Sequence, residues 1–394
     1  MSRHQHILAW LNDVASDLHA IRHDIHAHPE LGFEESRTSA LVARLLLEWG
    51  YEVHTGIGKT GVVGVLRNGS SPRRLGLRAD MDALPIHEAT GAAYSSQHQG
   101  CMHACGHDGH TTMLLGAARY LAETRNFNGT VNFIFQPGEE GCGGALAMLE
   151  DKLFERFPCD RIFGMHNHTG MAVGTFAVRN GPAMAGGAFF DITIGGKGSH
   201  GARPEGSIDP VLTACHIATA LQSIVSRNLS PREQAVVSVT KVQGGDAYNV
   251  IPQTATISGT ARFFSREVGQ QIEEAMRRLS DGIATGFGAT ASVEWRLIFA
   301  PTVNTAEHVD SVIAAAKDLV GEEKLTVGKP PVMGSEDFSF MLEKVPGAYL
   351  NVGNGEEGFS PHHPGYKFDD ASIPYGSAMY ARLVEMGMPK GIEG

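Results

Sequence analysis

Four short apolar runs in this chain each stop at a cluster of residues that bind metals or move protons. Residues 75–77 run into Arg78, Asp80 and Asp82, and residues 131–135 into the turn Pro137-Gly138-Glu139-Glu140. Residues 162–165 run into His166, and residues 349–352 precede the loop that carries His362 and His363. Apolar runs of that length read as strands. Helical spacing falls between them, as in residues 111–123, where Met113, Leu114, Ala117, Ala118 and Leu121 share one face. Strands that alternate with helices predict an α/β sheet covered on both sides. Ligands of such sheets collect outside the carboxyl ends of the strands, so one fold can bring the four clusters together.

The chain of 394 residues is long enough for two domains. Helix-like spacing covers residues 7–22 and 35–49, and Pro29 and Gly32 break the segment between them. From about residue 186 to 299 the pattern changes. A strand at 188–194 leads to a Gly/Ser/His turn, a helix at 210–225 and strands at 235–242 and 254–264. A helix from about 267 to 287 and a strand at 291–299 close the unit. The order β-α-β-β-α-β is that of a ferredoxin-like module. The expectation is an α/β protein with a discontinuous metal-binding catalytic domain, residues 1–185 and 300–394, interrupted by an inserted domain at 186–299.

The chemistry starts at Cys105-Gly106-His107-Asp108-Gly109-His110, just after His103. A thiolate beside imidazoles is a ligand set for zinc, manganese, cobalt or nickel. Cys105 and His107 are the preferred ligands, and His103 and His110 are as well suited to supporting roles. Glu139 and Glu140 are neighbours on a turn and point different ways, so one can bind metal while the other serves as general base. The rings of His166 and His168 are expected to diverge, with His166, nearest the strand body, reaching the site. At most one of His362 and His363 is expected to bind metal. Asp80 and Asp82 could accept the second N–H of ligating imidazoles. Arg203 and Arg262, in the inserted region, could pair with a substrate carboxylate.

Bulk properties narrow the partners. A net charge of −11 with no basic run argues against nucleic acid. No segment approaches the roughly 20 apolar residues that span a membrane. Five cysteines and an amphipathic N-terminus starting Met1-Ser2-Arg3-His4-Gln5-His6 predict a cytoplasmic chain without a disulfide framework.

Several longer motifs occur in a familiar order: residues 22–31 (RHDIHAHPEL), 77–85 (LRADMDALP), 102–110 (MHACGHDGH) and 136–140 (QPGEE), then 196–200 (GKGSH), 249–252 (NVIP) and 334–338 (GSEDF). With them the chain resembles the hippurate hydrolase and N-acyl-amino-acid amidohydrolase family, relatives of auxin-conjugate hydrolases, aminoacylases and zinc carboxypeptidases, from about residue 15 to 385. The resemblance implies a metallopeptidase-type catalytic domain holding two divalent metal ions, and an inserted lid or dimerisation domain. It implies Cys105, His107, Glu140, His166 and His362 as metal ligands and Glu139 as the base, then acid. It further implies His200 as the group that polarises the scissile carbonyl, from the same chain or a second copy, and Asn249 and Arg262 as substrate-binding residues. The implied substrate is a small N-acyl amino acid, cleaved at its amide bond, with a dipeptide or an N-acetyl-diaminopimelate-type metabolite as the alternative. The implied assembly is a homodimer or higher homo-oligomer.

Overall fold

In the computed structural model, residues 3–390 are described, with side chains from His6 onward. Met1 and Ser2 of the amphipathic N-terminus, and residues 391–394 of the expected catalytic segment, lie outside the described residues. The chain forms two compact units. The larger runs to Ala183, resumes over Val303–Pro330 and again from Asp337; the smaller comprises Met184–Thr302 and Pro331–Glu336.

The larger unit is built on an eight-stranded sheet. Across it, the strands are Glu52–Ile57, Gly61–Asn68, Gly129–Gln136, Arg74–Asp80, Arg161–His168, Gly347–Gly353, Phe176–Val178 and Leu325–Val327. The four inner strands beginning at Gly129, Arg74, Arg161 and Gly347 run parallel. Their carboxyl ends therefore share one edge of the sheet. In register, Asp80 faces Gln136 and His166 faces Asn351, which turns four sequence-distant clusters into neighbours. The apolar runs become strands because both of their faces are covered: Val131, Phe133, Ile134 and Phe135 are all fully buried.

The helix His107–Thr124 is buried along most of its length. It packs on Ile373–Gly387, where Ser377 Oγ donates to the Met113 carbonyl at 2.9 Å and Gly116 leaves room for it. Leu114, Leu115 and Leu121 on this helix are fully buried, so truncating any one to Ala costs about 2–5 kcal/mol. The start of the helix is fixed by Gly106, whose φ is +91°. A Cβ there would fall 2.6 Å from Asn167 Oδ1 and 2.7 Å from the Tyr366 hydroxyl. Only glycine satisfies both constraints.

The smaller unit is an antiparallel four-stranded sheet in the order Ala235–Gly244, Thr254–Phe263, Gly186–Gly195, Thr290–Phe299. Two helices, Pro210–Leu221 and Arg266–Gly286, complete the β-α-β-β-α-β order. Alternation along Thr254–Phe263 buries Ala255, Ile257, Ala261 and Phe263 against Phe190, Ile192 and Ile194. Asp209 caps the first helix by accepting from Val211 N–H at 2.9 Å, with Pro210 at the first helical position. That helix stops at Leu221, short of the expected residue 225, and the chain continues in a wider turn over Ile224–Asn228. Pro331–Glu336 joins this unit because Ala185 N–H donates to the carbonyls of Val332 and Gly334, each at 3.0 Å. Backbone pairing of a short loop leaves no hydrophobic period, so no sequence pattern announces it.

Candidate metal centre

At the carboxyl edge of the large sheet, Cys105, His107 and His166 offer ligand atoms within 4.8 Å of one another. So do Cys105, Glu140 and His362, and so do His107, Glu139 and Glu140. All five expected ligands and the expected base thus meet in one place. Cys105 is common to two of the groups, and these two residue sets could hold two ions.

The imidazoles are held so that one nitrogen is spent and the other is offered. His166 Nδ1 lies 2.6 Å from the Asn167 carbonyl, which can only accept, so the proton sits on Nδ1 and the Nε2 lone pair faces Cys105 Sγ at 3.3 Å. Burial pushes His166 down to about 3, and it is a neutral imidazole at neutral pH. His107 Nδ1 lies 3.2 Å from Asp82 Oδ1. The other Asp82 oxygen accepts the Glu140 backbone N–H at 2.9 Å, so one carboxylate orients two ligands. Burial opposes a charge on His107, but the carboxylates of Asp80 and Asp82 outweigh it and raise the imidazole well above its ordinary range. Burial pushes the Cys105 thiol up to about 12, so without metal it stays protonated, and a cation that binds there displaces the proton.

Two atoms mark the place for a cation. His107 Nε2 and Glu140 Oε1 are both buried without an aligned hydrogen bond. His362 Nε2 lies 3.1 Å from Glu140 Oε1, an ion-pair distance without hydrogen-bond alignment. Buried polar atoms without an aligned partner cost free energy unless something satisfies them, and a cation that binds here displaces the proton that the neighbouring carboxylates keep on the His107 ring. A sulfur, imidazole and carboxylate donor set fits a borderline divalent metal.

The structure parts the ambiguous pairs. His168 Nε2 lies 2.6 Å from Lys329 Nζ, away from the cluster that His166 joins. Strand alternation does not separate them, because residues two apart share a face; their partners do. His363 stacks on Phe359 with ring centroids 3.9 Å apart, and its Nδ1 accepts the Gly365 N–H at 2.9 Å. His362 takes the left-handed φ of +69° and its N–H donates to the Ala104 carbonyl at 2.8 Å, which ties its loop to that of Cys105. His110 is used by the protein: Nδ1 lies 2.6 Å from Asp80 Oδ1, and Nε2 accepts the Asn167 N–H at 3.1 Å. His103 is buried with neither ring nitrogen partnered, and burial pushes it down to about 4.

Glu139 is 6% exposed and accepts the Asp337 N–H at 3.3 Å. Gly138 turns with φ +56°, and its N–H is held by Glu35 Oε1 at 2.8 Å. Arg78, Glu35 and Asp337, all fully buried, support this turn and were given no role by sequence reasoning. The signal was present for two of them, since Arg78 and Asp337 lie inside recognised motifs; nothing distinguishes Glu35 in a stretch of ordinary helix-start residues.

The other three expected site residues lie on the smaller unit. His200 is exposed in a two-residue strand opposite Val250, and its Nδ1 accepts the Ala202 N–H at 3.0 Å. The Asn249 carbonyl accepts the Gly201 N–H at 2.7 Å, so His200 and Asn249 belong to one local pairing. Arg262 is elsewhere on that unit, in the strand Thr254–Phe263, where it donates to the Ala261 carbonyl at 2.9 Å and to Thr260 Oγ1. Arg203 is exposed in the turn after His200.

Residues 76–386 match the family model of peptidase family M20/M25/M40. A hippurate hydrolase from Campylobacter jejuni is 44% identical over 371 residues, covering 94% of this chain and 96% of that protein. An N-acetylcysteine deacetylase from Bacillus subtilis is 41% identical over 366 residues, covering 92% of this chain and 94% of that protein. The crystal structure of a dinuclear metal binding peptidase of the M20 family from Bacillus subtilis superposes with a TM-score of 0.85 at 36% identity, covering 96% of this chain and 99% of that one. The chain belongs to the M20 peptidase family and is a hydrolase with the fold of a dinuclear metallopeptidase.

Proposed function

We propose that this M20-family chain is a metal-dependent amidohydrolase that cleaves N-acyl amino acids to a carboxylic acid and a free amino acid. The observation that carries this reading is the unpartnered, buried His107 Nε2 among Cys105, His166 and Glu140, with Glu139 beside it. The names of the relatives support it, since hippurate and N-acetylcysteine are both N-acyl amino acids. Cys105, His107, Glu140, His166 and His362 would hold two divalent ions, with zinc, manganese, cobalt and nickel all compatible with the donors. When bound, the ions supply Lewis acidity toward the acyl carbonyl and acidify a water.

The remaining chemistry belongs to the chain. Glu139 takes the proton from the attacking water and hands it to the leaving amine nitrogen. Its neighbour Glu140 would serve as a metal ligand, which gives the two carboxylates separate tasks. Asp82 keeps His107 in the tautomer that offers Nε2. His200 is assigned to the developing oxyanion, and Asn249 and Arg262 to the substrate carboxylate, which suits a guanidinium fork. These three assignments rest on the resemblance. So do the catalytic role of the larger unit, the lid or dimerisation role of the smaller one and homo-oligomer formation, whereas a cytoplasmic location rests on the cysteine usage. The net charge of −11 supports a small-molecule partner over nucleic acid. No helix among the described residues is long and apolar enough to cross a membrane.

The test is hydrolysis of hippurate, N-acetylcysteine and a dipeptide by chelator-stripped protein, with zinc, manganese, cobalt or nickel restored. Metal-restored release of free amino acid from the N-acyl substrates supports the reading. Restored cleavage of the dipeptide alone would replace it with a peptidase. Glu139→Gln should bind metal as before and lose about 10²–10⁴-fold in kcat; wild-type turnover by that variant would remove the base.

A further inference from the structure

Asp337 grips the turn that carries Glu139 and Glu140 from three sides. Ahead of the turn, its Oδ1 accepts from Gln136 Nε2 at 2.7 Å. Behind it, its Oδ2 accepts the Ala145 N–H at 2.9 Å, in the first turn of the helix Gly144–Glu150. Within the turn, its own backbone N–H donates to Glu139 Oε1 at 3.3 Å. The carboxylate is itself held by Arg78 Nη2 at 3.2 Å, and Arg78 Nε donates to Gln136 Oε1 at 2.9 Å. Arg78, Gln136 and Asp337 are all fully buried. A buried carboxylate satisfied by a guanidinium and two further donors has one well-defined orientation.

We propose that Asp337 is a positioning residue for the reaction: it clamps residues 136–145 and aims a main-chain N–H at one oxygen of Glu139. With Oε1 held in this way, the orientation of the Glu139 carboxylate that takes and returns the proton is set. Arg78 and Gln136 act through Asp337 and touch no reacting atom. The inference rests on Glu139 being the base, and it adds a residue outside the ligand set to the machinery. A misplacement of about 1 Å in a catalytic group costs about 10²-fold in rate, so the clamp has a measurable consequence without changing the substrate contacts.

The experiment is a double-mutant cycle on kcat and KM. Asp337→Asn keeps the shape and removes the charge that Arg78 holds. It should lower kcat about 10–100-fold, leave KM within about twofold, and bind metal with unchanged stoichiometry by calorimetry. In a Glu139→Asp background, whose shorter carboxylate no longer meets the clamp, the same substitution should change kcat by less than about twofold. Equal loss in both backgrounds, or a fall in metal stoichiometry that matches the fall in kcat, would overturn the inference in favour of a merely structural role. If Asp337→Asn does not fold, Gln136→Met removes one donor to Asp337 and the acceptor of Arg78 Nε, leaves the Arg78 and Ala145 contacts to Asp337, and should show a smaller kcat loss with the same non-additivity. A Glu139→Asp protein with wild-type kcat would instead defeat the base assignment, an outcome distinct from additivity in an impaired background.

Discussion

The edge of the large sheet and the His200–Val250 strand pair of the smaller unit are built on opposite plans. At the sheet edge Cys105, His107, Glu140 and His166 are buried or half-buried, and the last three have a second partner inside their own unit: Asp82 for His107, the Asn167 carbonyl for His166, Asp82 again for the Glu140 backbone. At the strand pair, His200 and Asn249 are exposed, next to Tyr248 and Val250, which are exposed as well. Their order comes from a two-residue strand pair. The first plan prepays orientation with packing and hydrogen bonds. The second exposes its side chains to solvent, with His200 anchored by the Ala202 N–H at its Nδ1.

Three substitutions sharpen or break that contrast. Cys105→Ala removes the donor common to two ligand groups and should lower metal affinity by more than about 100-fold, read by calorimetry; unchanged affinity would detach the sulfur from the site. His200→Ala should lower kcat by about 10²–10³-fold. Because His200 is exposed, the thermal midpoint and metal stoichiometry should not move, and a large loss of stability would give it a structural role instead.

The smallest effect tests the frame behind the sheet edge, with no metal needed. Burial opposes charge on His26, yet contacts with Asp108 at 2.8 Å and Glu88 at 3.3 Å push it up to about 9 from an ordinary 6.5. A raised folded pKa favours the protonated form, so this contribution is whole below about pH 6.5 and is lost as pH rises through about 9. Its size is on the order of 3 kcal/mol. In the metal-free protein, His26→Gln should flatten the fall of the thermal midpoint between pH 6.5 and 9. An identical fall in both proteins would show that the pair stores no such energy.

Much of this was legible in the residues. Apolar runs that end in polar clusters foretell a parallel sheet with a site at its carboxyl edge, because strand direction decides where the next residues emerge. The β-α-β-β-α-β order is equally plain, since alternation and helical period both survive in residues 186–299. The choice of His362 over His363 is not: it depends on a stacking contact with Phe359 and a left-handed backbone, neither of which has a sequence period. The clamp around Glu139 escaped for another reason. Arg78, Gln136 and Asp337 are up to 259 positions apart, and one chain without its fold does not say which buried charges meet.

Gly106 carries a lesson about history. Its backbone angle excludes a side chain, and so do Asn167 and Tyr366, which would both lie under 3 Å from any Cβ. A lineage that explores one substitution at a time meets two independent barriers here, and removing Tyr366 lowers only one of them. In such a lineage the loop that presents Cys105 and His107 would be inherited intact around this position.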